Sequence, residues 1–217
     1  MGASMSEFSI DTAGIIAILR EVASDLKSHT DELRELDAKV GDGDLGVTME
    51  LSSQAMVDYL ESSSETDIGK LLAQCGMNIN RTSPSTFGTI LASAFMGGGR
   101  AATGETQLDL EGLILIGEGA IDNIKKRGKA EAGDKTLLDT LIPAVETLKK
   151  ECDKGTDVKT AIKAATRAAE DGMKATVNMK AKFGRARMFR EGGIGVQDGG
   201  ATAMYYMIKS FAENMLA

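Results

Sequence analysis

Tryptophan is absent from this chain, histidine occurs once, and cysteine and proline occur only twice each. The two cysteines, Cys75 and Cys152, lie far apart and belong to no CxxC pair. That excludes a disulfide-stapled fold and points to a reducing cytoplasm. No apolar run approaches the roughly 18 residues of a membrane span, so no membrane partner is expected. The N-terminus lacks the charged and apolar regions of a secretory signal. Met1-Gly2 with Ser6 matches the N-myristoylation pattern, whereas Met5 reads as a second start that would make residues 1–4 an appended tail. Basic residues are in deficit, 25 against 32 acidic, for a net charge of −7. A nucleic-acid partner would demand a basic face, so that class is set aside. An acidic protein that binds anions needs cations to bridge the repulsion.

What is present is material for a core. The 217 residues are 42% hydrophobic and 26% charged, the signature of one compact domain spanning 1–217. Apolar residues recur at i, i+3, i+4 and i+7 along most of the chain. Ile15, Ile18, Leu19, Val22 and Leu26 form one stripe, after a cap at Asp11 or Thr12. Leu113, Ile116, Ala120, Ile121 and Ile124 form a second, and Leu138, Leu141, Ile142, Val145 and Leu148 a third. Val158, Ile162 and Ala165 mark another, and Met204, Met207, Ile208 and Phe211 the last. The segments Val47–Leu60, Ile68–Ile79 and Phe87–Met96 also read as helices. Strand alternation and hairpin dipeptides are nearly absent. The expected fold is all-α, with about eight helices. The methionines read as core filler, and His29 as a helix-end residue.

The 25 glycines gather in connections, at 41, 43 and 46, at 97–99, at 128 and 133, and from 192 to 200. Glycine costs a helix interior about 1 kcal/mol relative to alanine, so Gly97–Gly99 reads as a helix terminator. Glycine-rich backbone before a helix N-terminus is also suited to anions.

Four segments carry chemistry. Asp37, Asp42 and Asp44 fall within eight residues, separated by glycines, ahead of an amphipathic stripe. Carboxylates this close repel unless a cation neutralises them, and Mg²⁺ takes a few carboxylates together with water and phosphate oxygens. An EF-hand starting at Asp42 fails, because Val47 stands where its glycine belongs and Ser53 where its glutamate belongs. Gly128 to Thr136 nearly matches a Walker A loop, but Asp134 intrudes before Lys135 and no strand precedes it. It remains a glycine-bounded loop opening a helix, suited to a nucleotide. Arg185, Arg187 and Arg190 beside Gly184 suit a phosphate, and Asn80–Thr89 offers hydroxyls and N–H groups at a helix start.

Taken together these segments resemble the nucleotide-binding L subunit of dihydroxyacetone kinases, equivalent to the C-terminal domain of the single-chain ATP-dependent forms. The resemblance runs from Thr12 to Ala212. It rests on the Asp37–Gly46 loop, Phe-Gly-Thr at 87–89, Arg-Gly-Lys-Ala-Glu-x-Gly-Asp-Lys-Thr at 127–136, Gly-Arg-Ala at 184–186 and Gln-Asp-x-Gly-Ala at 197–201. It implies a barrel of eight antiparallel up-and-down helices with the nucleotide at one end. It implies that Asp37, Asp42 and Asp44 hold two Mg²⁺ ions. ATP or ADP would contact Leu45, Gly46, Val47, Thr48, Thr82, Ser83, Gly128, Arg185, Asp198, Gly199 and Gly200, with Leu137 beside the adenine. It also implies that this chain carries no catalytic nucleophile, the ketose being held covalently on a histidine of a separate K subunit. Three departures stand out: Leu45 where phosphotransferase-dependent L subunits carry histidine, Asn80–Pro84 in place of a glycine-rich loop, and Gly199 in place of proline. The resemblance leaves three readings open: an ATP-dependent kinase subunit acting with the K subunit, a subunit that keeps ADP and is fed by a phosphocarrier subunit, and a nucleotide-sensing regulator. Assembly as a homodimer is compatible with each.

Overall fold

The computed structural model describes residues 8–217, so the expectations for Met1, Gly2, Met5 and Ser6 lie outside the described residues. Helices account for 74% of the structure. Nine α-helices occur among the described residues: α1 (Thr12–Ser28), α2 (Thr30–Ala38), α3 (Leu45–Ser62), α4 (Ile68–Thr82), α5 (Thr86–Ala101), α6 (Leu110–Gly128), α7 (Leu138–Asp153), α8 (Val158–Ala175) and α9 (Gly199–Met215). Extended structure is confined to a two-residue antiparallel pairing of β1 (Ile10–Asp11) with β2 (Gln107–Leu108).

The apolar stripes become buried faces. Ile15, Ile18, Leu19, Val22 and Leu26 of α1 are buried, as are Leu138, Leu141, Val145 and Leu148 of α7. The helix starts are chemically marked. The Asp11 carboxylate accepts the Gly14 N–H at 2.8 Å, and Asp67, Ser85, Asp109, Asp157 and Asp198 cap α4, α5, α6, α8 and α9 in the same way. Each such cap is worth about 1 kcal/mol.

Eight long helices close a ring. α1 packs on α3, α3 on α4, and so on in chain order to α8 on α9, and α9 returns to α1. α2 is a short insert against α3 and α9. The interior keeps an apolar cavity of about 250 Å³ among Leu19, Leu91, Leu141, Met204 and Phe211. No helix among the described residues is long and apolar enough to cross a membrane.

Gly97–Gly99 does not terminate a helix; the three glycines lie inside α5 and are buried. A methyl group at position 99 would sit 2.5 Å from the Gly69 carbonyl oxygen of α4. One at 97 would collide with the Gly119 carbonyl of α6. The run therefore lets α5 lie backbone to backbone against both neighbours, which outweighs its propensity cost.

A candidate nucleotide and metal site at one end of the ring

One end of the ring collects the starts of α3, α5, α7 and α9 together with the ends of α2 and α6 around a cavity of about 560 Å³. Helix starts leave N–H groups without intrahelical partners and carry the positive end of the macrodipole. Three such starts, at Leu45, Thr86 and Gly199, face the same space. An anion in that space meets converging donors.

The aspartate loop forms the acidic wall. Asp37 ends α2, and Gly43, at φ +75°, turns the chain so that Asp42 and Asp44 swing back towards it. A carboxylate oxygen from each of the three lies within 4.8 Å of the other two. The chain gives these carboxylates little relief. The Asp37 carboxylate accepts the Leu45 N–H at 3.4 Å, and Asp42 pairs with the Arg185 guanidinium at 2.6 Å. Burial, then the charges of Asp42 and Asp37, push the Asp44 carboxyl above its ordinary value, with only Arg185 opposing. Three hard oxygen donors against one cation are suited to Mg²⁺, which would remove that strain.

An apolar part of the lining is made by Ile90, Ile124, Leu137 and Phe183. Leu137 sits there because the loop after α6 is cross-tied. Lys129 adopts a left-handed conformation after Gly128, and the Asp139 carboxylate accepts the Gly133 and Thr136 N–H groups. Lys182 pairs with Asp134 at 2.5 Å and holds that carboxyl below its usual range.

Lys135 lines the cavity with φ +62° and only 2% exposure. Its ammonium donates to the Thr176 carbonyl at 2.7 Å and the Val196 carbonyl at 2.5 Å, tying the loop to the end of α8 and to the approach to α9. Burial pushes the Lys135 amine down, against the charges of Asp198 and Asp139. Nearby, the Asp198 carboxylate caps α9 by accepting the Ala201 N–H at 2.7 Å. Burial pushes that carboxyl up to about 6, although Lys135 and the cap pull the other way. Gly199 and Gly200 are small for a reason: a methyl group would lie 2.7 Å from Leu45 Cδ2 and 3.0 Å from Phe87 Cε2, respectively.

Of the residues singled out in the sequence, Asp37, Asp42, Asp44, Leu45, Gly128, Leu137, Arg185, Asp198, Gly199 and Gly200 line this one cavity. Gly46 and Thr48 are buried beside it, and the Val47 side chain is exposed. Thr82 and Ser83 do not line it. The Thr82 hydroxyl donates to the Asn78 carbonyl, and buried Ser83 donates to the Thr48 carbonyl. Pro84, Ser85, Thr86 and Phe87 hold the lining position instead. The sequence signal for them was the Ser85 cap three residues before Gly88. Lys135 lies within the 127–136 segment, whose sequence gives no sign of its two carbonyl partners. His29 is elsewhere, stacked on Tyr206 at 3.7 Å and 3.4 Å from Glu32.

A family model described as "DAK2 domain" matches residues 39–213. Over 204 residues the chain is 31% identical to "PEP-dependent dihydroxyacetone kinase, ADP-binding subunit DhaL" of Escherichia coli, covering 94% of this chain and 97% of the relative. It is 30% identical to the corresponding subunit of dihydroxyacetone kinase 2 from Listeria innocua, covering 97% of this chain and 98% of that one. The fold is similar to part of the dihydroxyacetone kinase from C. freundii, solved in complex with AMP-PNP and Mg²⁺. That match has a TM-score of 0.72 at 24% identity and covers 95% of this chain but 34% of the other.

Proposed function

Because the chain belongs to the DAK2-domain family, we propose that it is the nucleotide-binding subunit of a short-ketose kinase, holding Mg-ATP or Mg-ADP for transfer of a phosphoryl group to a ketose bound on a partner K subunit. The observation that carries this reading is a single cavity whose lining combines apolar side chains with three clustered carboxylates and Arg185. A nucleotide has the same two-part character.

In this reading the adenine lies against Leu137, Ile90, Ile124 and Phe183, beside Gly128. The phosphates lie along the first turns of α3 (Leu45 to Thr48), α5 and α9 (Gly199 and Gly200), where orphan N–H groups stabilise anionic oxygens. Ser85 and Thr86 take the phosphate-loop role in place of Thr82 and Ser83, whose hydroxyls are already engaged. Asp37, Asp42 and Asp44 hold two Mg²⁺ ions, which offset the charge of phosphates that the acidic loop would otherwise repel. Arg185 moves its guanidinium between Asp42 and a phosphate oxygen. Asp198 keeps α9 capped, and Lys135 fixes the loops that shape the pocket. Phosphoryl transfer asks for positioning and charge neutralisation rather than a nucleophile from this chain.

A second reading keeps ADP as a resident cofactor, recharged by a phosphocarrier subunit. It is favoured by the near-complete span shared with relatives named as ADP-binding subunits of PEP-dependent kinases. Leu45, in place of histidine, favours ATP as the donor. Calorimetric titration with ADP in Mg²⁺ and in EDTA tests the shared core of both readings. The expected result is tight binding only with Mg²⁺, lost in Asp42→Asn with Asp44→Asn. Equal affinity in EDTA would remove the metal from the account.

A further inference from the structure

Of the three carboxylates in the acidic wall, Asp42 and Asp44 flank the Gly43 turn, whereas Asp37 stands in the last turn of α2. Its placement is therefore only as exact as the placement of that helix. α2 has little of its own to hold it. It is nine residues long, Leu33 is its one buried residue, and no side chain caps its first turn. Helices of that length are marginal in water by themselves, so tertiary contacts decide where α2 lies.

Those contacts include α9, along which α2 runs antiparallel. At one end, a methyl group on Gly199 would lie 4.0 Å from the Asp37 backbone nitrogen. At the other, the Tyr206 hydroxyl donates to Glu32 Oε2 at 2.7 Å. The Tyr206 ring also stacks on His29, with centroids 3.7 Å apart and planes 9° apart. His29 Nδ1 stands 3.4 Å from the same Glu32 oxygen, so three side chains close on one point. Gly199 and Tyr206 are seven residues apart and so share a face of α9. His29 is the single residue between α1 and α2, so the stack pins the joint itself.

Packing alone would not require the hydroxyl. The Tyr206 ring lies against the buried cluster that includes Leu33, a task that phenylalanine would do as well. The hydroxyl adds a directional bond. Burial, then the hydrogen bond and charge of Glu32, push it above its ordinary pKa, so it remains a donor.

We infer that Tyr206, acting through Glu32 and His29, is a positioning residue for the metal site: it sets α2 on α9 and thereby sets the Asp37 carboxylate against Asp42 and Asp44. This rests on the reading of the three aspartates as Mg²⁺ ligands.

The test titrates Mg²⁺ into the full chain at a fixed concentration of ADP and reads the metal concentration at half-saturation. Tyr206→Phe, which keeps the ring, and Glu32→Ala should each raise that midpoint roughly three- to tenfold, because losing one hydrogen bond lowers the fraction of chains with α2 in place. ADP affinity at saturating Mg²⁺ should stay near the parent's, since bound metal then holds Asp37 by mass action. The melting temperature should stay within about 4 °C of the parent's. Glu32→Gln retains an acceptor for the hydroxyl and should restore most of the parental midpoint. Combining Tyr206→Phe with Glu32→Ala should add little to either alone, since both cut the same bond. Parental midpoints in both single variants, or effects that add in the double variant, would overturn the positioning role and leave the functional reading standing. ADP binding by the parent chain that ignores Mg²⁺ would overturn the metal reading, and this inference with it.

Discussion

Arg185 Nη2 lies 2.6 Å from Asp42 Oδ2, so the one guanidinium in the cavity wall is paired with one of three clustered carboxylates. The pair is open to water, the arginine side chain being 66% exposed. Exposed pairs contribute about 0–1 kcal/mol, whereas a charge-assisted hydrogen bond to a ligand contributes about 1.5–3 kcal/mol.

Replacement of Arg185 should separate binding from stability. Arg185→Gln is expected to shift unfolding free energy by less than about 1 kcal/mol. Its affinity for Mg-ADP should fall roughly 10- to 100-fold, the equivalent of the lost charge-assisted bond. Denaturant melts and calorimetry on the same preparation check both. A large loss of stability would show that the pair to Asp42 is structural instead.

Asp198 predicts a pH dependence of stability. Its carboxyl is raised from 3.8 to about 6, so between these values the folded chain binds a proton that the unfolded chain has released. The contribution is therefore fully present below about pH 4 and is lost as pH rises through about 6. Asp44, raised for related reasons, acts in the same direction. The partial exposure of Asp198 limits its effect to on the order of 1–3 kcal/mol. Asp198→Asn retains a capping side chain and should flatten the decline between pH 4.5 and 7 in metal-free denaturant melts. An unchanged slope would remove Asp198 as its source.

The glycines inside α5 predict a change of sign. Propensity alone makes Gly97→Ala stabilising by about 1 kcal/mol. The new methyl would collide with the Gly119 carbonyl and come within 2.5 Å of Asn123 Cβ. Overpacking costs typically about 1–3 kcal/mol, and backbone yields less readily than a side-chain end. A net loss of stability is expected, read from the urea midpoint; a gain would show that α5 and α6 separate freely.

Much of this was legible in the sequence, and the remainder failed for identifiable reasons. The stripes of α1 and α7 give local, periodic signals, and both faces are buried as expected. The aspartate loop is equally local, its three carboxylates lying within eight residues, and the chain brings them together. Gly97–Gly99 misled because a glycine run is ambiguous between a helix end and a close helix crossing, and only α4 and α6 decide it. Lys135 was silent because its two acceptors are 41 and 61 residues away. Thr82 and Ser83 were expected only from the resemblance, and the Asn78 and Thr48 carbonyls that accept from their hydroxyls belong to the folded backbone, which no local motif displays.

The cavity supplies carboxylates, helix starts and an apolar slot, but its lining includes no histidine to anchor a ketose, and His29 is stacked on Tyr206. Holding the ketose on a partner provides orientation that can contribute roughly 7–11 kcal/mol to lowering the barrier. The most direct measurement is phosphorylation of dihydroxyacetone by the purified chain with Mg-ATP, with and without its K subunit, and with a phosphocarrier subunit supplied as an alternative donor. The account predicts negligible turnover by the chain alone and activity on mixing with the K subunit; robust turnover by the chain alone would contradict it.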